Sequence, residues 1–426
     1  MKITDATCTF TAEKLNKPFG FKGGFLSELW QVVCKVKAED TVGVGVGVQS
    51  VLWSDEHIFT TTTEQVGNAM MLKTTEYATK LLIGKTFTNP IYLSNEIFSQ
   101  VYEYAKFITN SNELRTTFAR NAMVAVDNAL WQIYAKLCGK TNLIDLVGKD
   151  YSYCLNNKQT ILSNVPLVSY NVNDEDIEQL IKEGAILLKI KIGFDDGGKL
   201  NKEQMLEWDK KRITQIHNIA KKYKTEYSTS GKILYYLDAN GKYDTLDRVE
   251  NLVNHTKNIG AFENIILFEE PFPEDVKLNV SSIPIRFAAD ESVHSVEDVK
   301  ERISLGYTAI TLKPIAKTLS ETLKILKVAT DNNVHCFCAD LTVNPLLVEW
   351  NKNVAARINS LPELKIGILE SNGAQNYANW TQLKTYHPTY NKSYTKCDKG
   401  LYKLDNEFFE TSGGIFNQSN YYDNLL

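Results

Sequence analysis

Histidine is scarce in this chain of 426 residues. The six present show no H-x-x-x-H or related spacing, which argues against a zinc site built on histidine. Cysteine is also sparse, and its odd count of seven does not make a full disulfide framework. Cys336 and Cys338 alternate on an expected strand and are not a C-x-x-C pair. Reduced, buried structural thiols are expected, which fits the cytoplasm. No run reaches the roughly 18 apolar residues of a membrane span. The opening, Met1 to Phe10, lacks a basic segment followed by an apolar core, so no signal peptide is expected. Positive charge is not in excess: 47 basic residues against 51 acidic ones leave a net charge of -4. Binding to a phosphate backbone is not suggested, and neither nucleic acid nor membrane is an expected partner.

What is present is a soluble globular composition, 43% hydrophobic and 23% charged, at a length that suits two domains, one of them a large α/β barrel. Residues 1–140 read as an α+β domain, strands first and helices after. Ile3 to Thr11, Leu29 to Ala38 and Val42 to Leu52 look like strands. Between the first two, Lys17-Pro18-Phe19-Gly20-Phe21-Lys22-Gly23-Gly24 reads as a loop with apolar tips, a plain surface turn or a lid. Glu96 to Thr109 and Asn121 to Leu137 carry apolar residues at three- and four-residue spacing, as amphipathic helices do.

From about residue 160 to 371 the rhythm changes. Eight strand-like runs alternate with helical ones: Val165–Tyr170, Leu187–Lys191, Ile233–Asp238, Ile265–Glu269, Arg286–Asp290, Ala309–Lys313, Val334–Asp340 and Ile366–Glu370. Near-continuous hydrophobic strands joined by helices mean a parallel sheet, and eight such units predict a closed (β/α)8 TIM barrel. The long helix after the second strand, with the tail that follows, reads as an insertion at 200–231 on the outside of the barrel. Residues 372–426, rich in Tyr, Asn and Lys, are expected to pack back onto the first domain.

The strands share a habit: charged residues at their C-terminal ends, which form the mouth of a barrel and hold its active site. Lys189 and Lys191 lie two apart on the second strand, so they face the same way. Asp238, Glu269 and Asp290 end the next three strands, and Lys313 ends the sixth. Three converging acids repel one another and call for a cation. Oxygen-only donors suit a hard ion, Mg²⁺ with Mn²⁺ as the alternative. A metal flanked by lysines is suited to removing a proton next to a carboxylate. A small-molecule carboxylate is therefore the expected ligand.

The motifs Lys189-Ile190-Lys191, Asp238-Ala239-Asn240, Glu269-Glu270-Pro271, Asp290-Glu291-Ser292 and Leu312-Lys313-Pro314 resemble those of the enolase superfamily. Within it, they resemble the muconate lactonizing enzyme-like subgroup of the mandelate racemase/muconate lactonizing enzyme family. In that superfamily Lys or His bases work beside Mg²⁺. The resemblance implies an enolase-like barrel with an N-terminal capping domain, whose lid matches the loop near 19–24, and a homo-oligomer. It implies Asp238, Glu269 and Asp290 as metal ligands, with Glu270 and Glu291 behind them. It implies Lys191 and Lys313 as acid/base groups on opposite faces of the substrate, and Lys189 as the group that polarises the substrate carboxylate. Phe19 and Phe21 of the lid become candidate substrate contacts.

Two departures bear on the activity. Strand six carries Lys313, and His335 lies at the start of strand seven, so the mandelate racemase pattern is not met. Dipeptide epimerases of the family carry an Asp-x-Asp on strand eight, where this chain has Glu370-Ser371-Asn372. Asp340 and Glu370 end strands seven and eight. Facing inward, they would favour a substrate with a cationic group, such as an amino-acid derivative or a cationic dipeptide; otherwise each caps a loop or pairs with a lysine. Racemisation or epimerisation is the first expectation. Dehydration of the o-succinylbenzoate synthase kind, or cycloisomerisation, is the second, and a non-catalytic binding scaffold the third.

Overall fold

The computed structural model describes residues 1–21 and 24–426, and the side chains at 19–21 and 24 lie outside the described residues. Strands β1 (Ile3–Phe21), β2 (Gly24–Ala38) and β3 (Thr41–Gln49) form an antiparallel sheet in that order. Glycine alternates with valine along β3. A Cβ on Gly45 would stand 2.0 Å from the carbonyl oxygen of Ala125, and one on Gly43 2.2 Å from that of Ala129. Omitting those side chains lets the helix Val124–Cys138 lie directly on the sheet. Val44 and Val46 face the other way and pack with Leu346 and Tyr422.

Of the stretch expected as a loop at 17–24, Lys17 to Phe21 belong to β1 and Gly24 opens β2, so these residues are strand. Lys14 pairs with Glu28, and Phe19 with Leu26, so the chain bulges between them. Pro18 falls in this bulge, where no ladder amide is required. The amide of Ser27 opposite donates to the Glu64 carboxylate at 3.1 Å. The side chains of Phe19 and Phe21, expected to touch substrate, lie outside the described residues, as do Lys22 and Gly23.

The second sheet is the expected (β/α)8-type barrel, and its parallel strands follow the sequence around the ring. They are β4 (Ile161–Val165) with β5 (Leu167–Val168), then β6 (Leu187–Lys191), β7 (Leu234–Asp238), β8 (Ile265–Glu269), β9 (Phe287–Ala289), β10 (Ala309–Leu312), β11 (His335–Cys338) and β12 (Gly367–Glu370). β4 and β5 are one strand divided at Pro166: β4 bonds to β12, β5 bonds to β6, and the ring closes between them. Helices such as Asp174–Lys182, Leu246–Asn258 and Leu319–Asp331 separate the strands. Val165, Leu187, Leu234, Ile266, Ala288, Ala309, Phe337 and Ile368 cluster inside the barrel.

The expected outside insertion at 200–231 is corrected. Lys202–Ala220 is a barrel helix opened by a capping box on Asn201. The tail that follows runs to the opposite end of the barrel from the mouth. There Thr229 N donates to Glu363 O at 2.9 Å, Lys365 N donates to Tyr227 O at 2.9 Å, and Tyr227 packs on the barrel interior. Apolar Tyr227 has a buried surface to cover at the base of the barrel, which a loop on the outside would not offer.

Buried polar contacts join the cap to the barrel. Asp127 accepts from Ser320 N at 3.0 Å, Trp131 Nε1 donates to Ser320 Oγ at 3.1 Å, and Arg120 pairs with Glu321 at 2.9 Å. Residues beyond 371 touch the same cap: Lys35 pairs with Asp423 at 2.7 Å, and Ala378 N donates to Lys14 O at 3.0 Å. All seven cysteines are free. Cys34, Cys154, Cys336 and Cys338 are buried as expected, but Cys138 and Cys397 are exposed. Among the described residues, no helix is long and apolar enough to cross a membrane.

Candidate active site

Alternation along each barrel strand decides what reaches the mouth. On β7, Leu234 and Tyr236 point inward and Asp238 continues that face, while Tyr235 and Leu237 join the outer core. Register then lines up the charged ends: Lys191 pairs with Asp238, and Asp238 with Glu269. Glu269 pairs with Ala288, two residues before Asp290. Asp238, Glu269 and Asp290 are all but inaccessible to solvent.

Lys189 lies among the acids. Its ammonium is 3.0 Å from Asp238, 3.1 Å from Glu269 and 3.1 Å from Glu370. Burial disfavours its charge, but those three carboxylates outweigh burial and hold its pKa well above the usual lysine value. Lys191 donates to Asp238 Oδ2 at 2.6 Å. Lys313 pairs closely with Asp290, which overcomes burial and keeps it an ammonium. Against burial, lysines hold Asp238 and Asp290 well below the usual carboxylate range. Glu269 goes the other way. Burial, with repulsion from Asp238 and Asp290, raises its carboxyl despite Lys189 and Lys313.

The structure therefore brings together Lys189, Lys191, Lys313, Asp238, Glu269 and Asp290. Asp340 and Glu370 also line the cavity, beside Leu26, Leu29 and Trp53 of the cap. Both acids are engaged, however. Asp340 accepts from Asn372 N at 2.7 Å and Val343 N at 3.4 Å. Burial and the charge of Glu370 push Asp340 up to about 7. Glu370 accepts from Lys189 and from Asp340 N at 3.2 Å. Glu270 faces away from the acids and accepts from Asp290 N at 2.7 Å and Ser292 Oγ at 3.1 Å, fixing the chain that carries Asp290. Glu291 accepts from Asn240 Nδ2 at 3.0 Å.

Four residues escaped sequence reasoning. Tyr236 and Thr311 both donate to Glu269, the latter at 2.7 Å. Each stands two residues before a charged strand end, so the period of two could have found them. Lys317 donates to Asp290 O at 2.7 Å and lies one helical turn past Lys313. Trp53 offers its ring 4.9 Å from the Lys313 ammonium, and its indole N–H has no hydrogen-bond partner among the described residues. Nothing in the sequence around it signals that position.

Among the described residues, no three of His, Cys, Asp and Glu stand grouped so as to enclose a metal ion. The acids nevertheless suit a cation. Asp238 and Glu269 already share one ammonium between them, and, after burial, the charges of Asp238 and Asp290 raise Glu269. An all-oxygen donor set of this kind matches a hard divalent ion in its chemistry.

A TIM-like barrel with an N-terminal capping sheet is the fold this chain shares with solved mandelate racemase/muconate lactonizing enzyme-like proteins. No protein-family model matches the sequence, and no curated protein matches it. Among solved structures, the chain is similar to the N-succinyl Arg/Lys racemase from Bacillus cereus, with a TM-score of 0.64 and 16% identity over 95% of this chain and 93% of that one. It is similar to a dipeptide epimerase from Enterococcus faecalis, complexed with Mg and L-Leu-L-Tyr, with a TM-score of 0.63 and 18% identity over 89% of this chain and 92% of that one. The L-Ala-D/L-Glu epimerase from Bacillus subtilis gives a TM-score of 0.62 and 19% identity over 89% and 92%. At these identities the likeness shows the shared fold.

Proposed function

We propose that the chain is a Mg²⁺-dependent racemase or epimerase acting at the α-carbon of an amino-acid derivative or dipeptide. One observation carries this reading. Lys191 ends β6 and Lys313 directly follows β10, four strands on in a ring of eight, so the two lysines face each other across Asp238, Glu269 and Asp290. The neighbours' names, racemase and epimerase, support the same chemistry.

Asp238, Glu269 and Asp290 would hold the ion, which when bound supplies positive charge against the negative charge gathering on the substrate carboxylate. Lys189 adds its own positive charge and hydrogen-bond donors at that carboxylate. Lys191 in its neutral form takes the α-proton from one face: the C–H bond breaks, its electron pair moves toward the carboxylate, and an N–H bond forms. Lys313, held as an ammonium beside Asp290, returns a proton to the other face. Exchange of roles reverses the reaction. Leu26, Leu29 and Trp53 exclude water above the reacting carbon. Seven unpaired cysteines suit a reducing compartment, and we place the protein in the cytoplasm.

The test is incubation in deuterated water, with and without Mg²⁺, using N-succinyl amino acids and dipeptides. Mg²⁺-dependent α-deuteration with inversion supports racemisation. Loss of water or ring closure would assign the dehydratase or cycloisomerase instead. Failure to bind Mg²⁺ by calorimetry would favour the non-catalytic binding scaffold.

A further inference from the structure

The chain leaves β6 through Ile192 and Gly193, directly after Lys191, and the backbone there is held from several sides. Ile192 N donates to Asp238 O at 2.9 Å, and Ile192 O accepts from Tyr170 OH at 3.1 Å. Gly193 N donates to both carboxylate oxygens of Asp209, at 2.9 and 2.8 Å. Asp209 comes from the helix Lys202–Ala220 and also accepts from Tyr243 OH at 2.7 Å, on the segment after β7. Gly193 has φ +80°, and a Cβ there would stand 2.6 Å from Cβ of Lys242, so the two segments touch backbone to side chain. The rings of Tyr170, Phe194 and Trp208 close over this joint, with centroids 4.7 to 5.7 Å apart.

Asp209 is fully buried, and no ammonium or guanidinium offsets it: its described partners are backbone amides and a phenol. Burial pushes its carboxyl up to about 7. A buried acid without a cation is costly, and it takes no part in the proton transfers described above. Its effect is mechanical. It binds the backbone two residues beyond Lys191 to the segment five residues beyond Asp238.

We infer that Asp209 is the positioning residue for Lys191, fixing the end of β6 so that the lysine Nζ stays at Asp238, 2.6 Å away. The inference rests on the reading of Lys191 and Lys313 as the two proton carriers. Lys313 stands on the opposite side of the ring and makes no contact with this joint, so the two faces of the reaction must respond differently.

The experiment follows α-proton exchange in deuterated water with Mg²⁺, for L-Leu-L-Tyr, N-succinyl-L-arginine and their α-epimers. It compares the wild type with Asp209→Asn, Tyr243→Phe and Tyr170→Phe. The epimer served by Lys191 is the one that loses exchange in Lys191→Ala. For that epimer Asp209→Asn lowers kcat by about 10- to 100-fold, the scale of a small misplacement of a reacting group, with KM held within about threefold. The other epimer stays within about twofold of wild type. The two tyrosine variants show the same asymmetry more weakly, and they decide the matter if Asp209→Asn does not fold. Equal loss for both epimers, or loss for neither, overturns the inference while leaving the proposed function standing. If the wild type exchanges none of these compounds, the proposed function is what fails for these classes. The joint is then judged by amide hydrogen exchange of residues 187–194: about tenfold or more acceleration in Asp209→Asn supports it, and unchanged exchange overturns it.

Discussion

The ammonium of Lys189 stands 3.1 Å from the carboxylate of Glu370, joining the second barrel strand to the eighth across the divided first one. That contact turns Glu370 from a free acceptor for substrate into part of the charge network of the mouth. It also brings Asp340 in, because the Asp340 amide donates to the same Glu370 oxygen.

Glu269→Gln keeps the shape of the side chain and removes its charge. The expected result is loss of activity by about a thousandfold or more, since several kcal/mol of charge stabilisation go with it. Mg²⁺ affinity by calorimetry falls in parallel, and circular dichroism shows the fold retained. Normal turnover by the variant would refute the ligand assignment.

Lys191→Ala and Lys313→Ala are each expected to stop racemisation, yet each retains α-deuteration of the one epimer that the remaining lysine serves. Mass spectrometry in deuterated water reads this directly. Racemisation at wild-type rate in both variants would end the two-lysine reading.

Glu370→Gln removes one of three carboxylates from the buried Lys189 ammonium. A loss of about 1–3 kcal/mol in urea unfolding is expected, the scale of a weakened buried charged hydrogen bond. Exchange with cationic dipeptides should fall more than exchange with neutral ones if Glu370 also meets a substrate ammonium. An equal effect on both classes removes Glu370 from substrate selection.

His387 gives an acid-sensitive term far from the mouth. Burial, with help from the charge of Lys352, lowers its pKa to about 3, and its Nδ1 accepts from Thr389 N at 3.0 Å. The folded state thus binds fewer protons than the unfolded one. Its contribution is fully present above the unfolded value near 6.5 and is lost as pH falls from there toward the folded value. Wild type should lose up to about 1.4 kcal/mol per pH unit from this group below pH 6. His387→Gln should show a shallower loss in urea melts at pH 7 and pH 5. Equal slopes would show that the imidazole is solvated.

The barrel was legible because parallel strands are buried on both faces and read as apolar runs, and because seven of the eight runs end in a charge. The three acids and three lysines were legible for the same reason: a period of two places Lys189 with Lys191, and strand ends converge in a ring. The strand at Lys17 to Phe21 was not, since Pro18 and the glycines nearby carry the composition of a turn. Only the pairing across the bulge shows that β2 and Glu64 hold that stretch. The engagement of Asp340 by Asn372 N and Val343 N depends on loop backbone, which leaves no trace in side-chain pattern. Asp209 was hidden in an ordinary amphipathic helix, where one acid among several looks like solvent-facing charge.

The division of the first barrel strand at Pro166 bears on how the chain is made. β4 leaves the ribosome on the order of 200 residues before its parallel partner β12, so the ring stays open over that interval. During that interval β4 presents an unpaired edge, the kind of surface on which strands of other chains add. In the finished protein β14 (Leu401–Lys403) also pairs with β4, antiparallel, and it arrives later still. Truncation before residue 401 should therefore leave an aggregation-prone barrel even though every charged residue at the mouth is present.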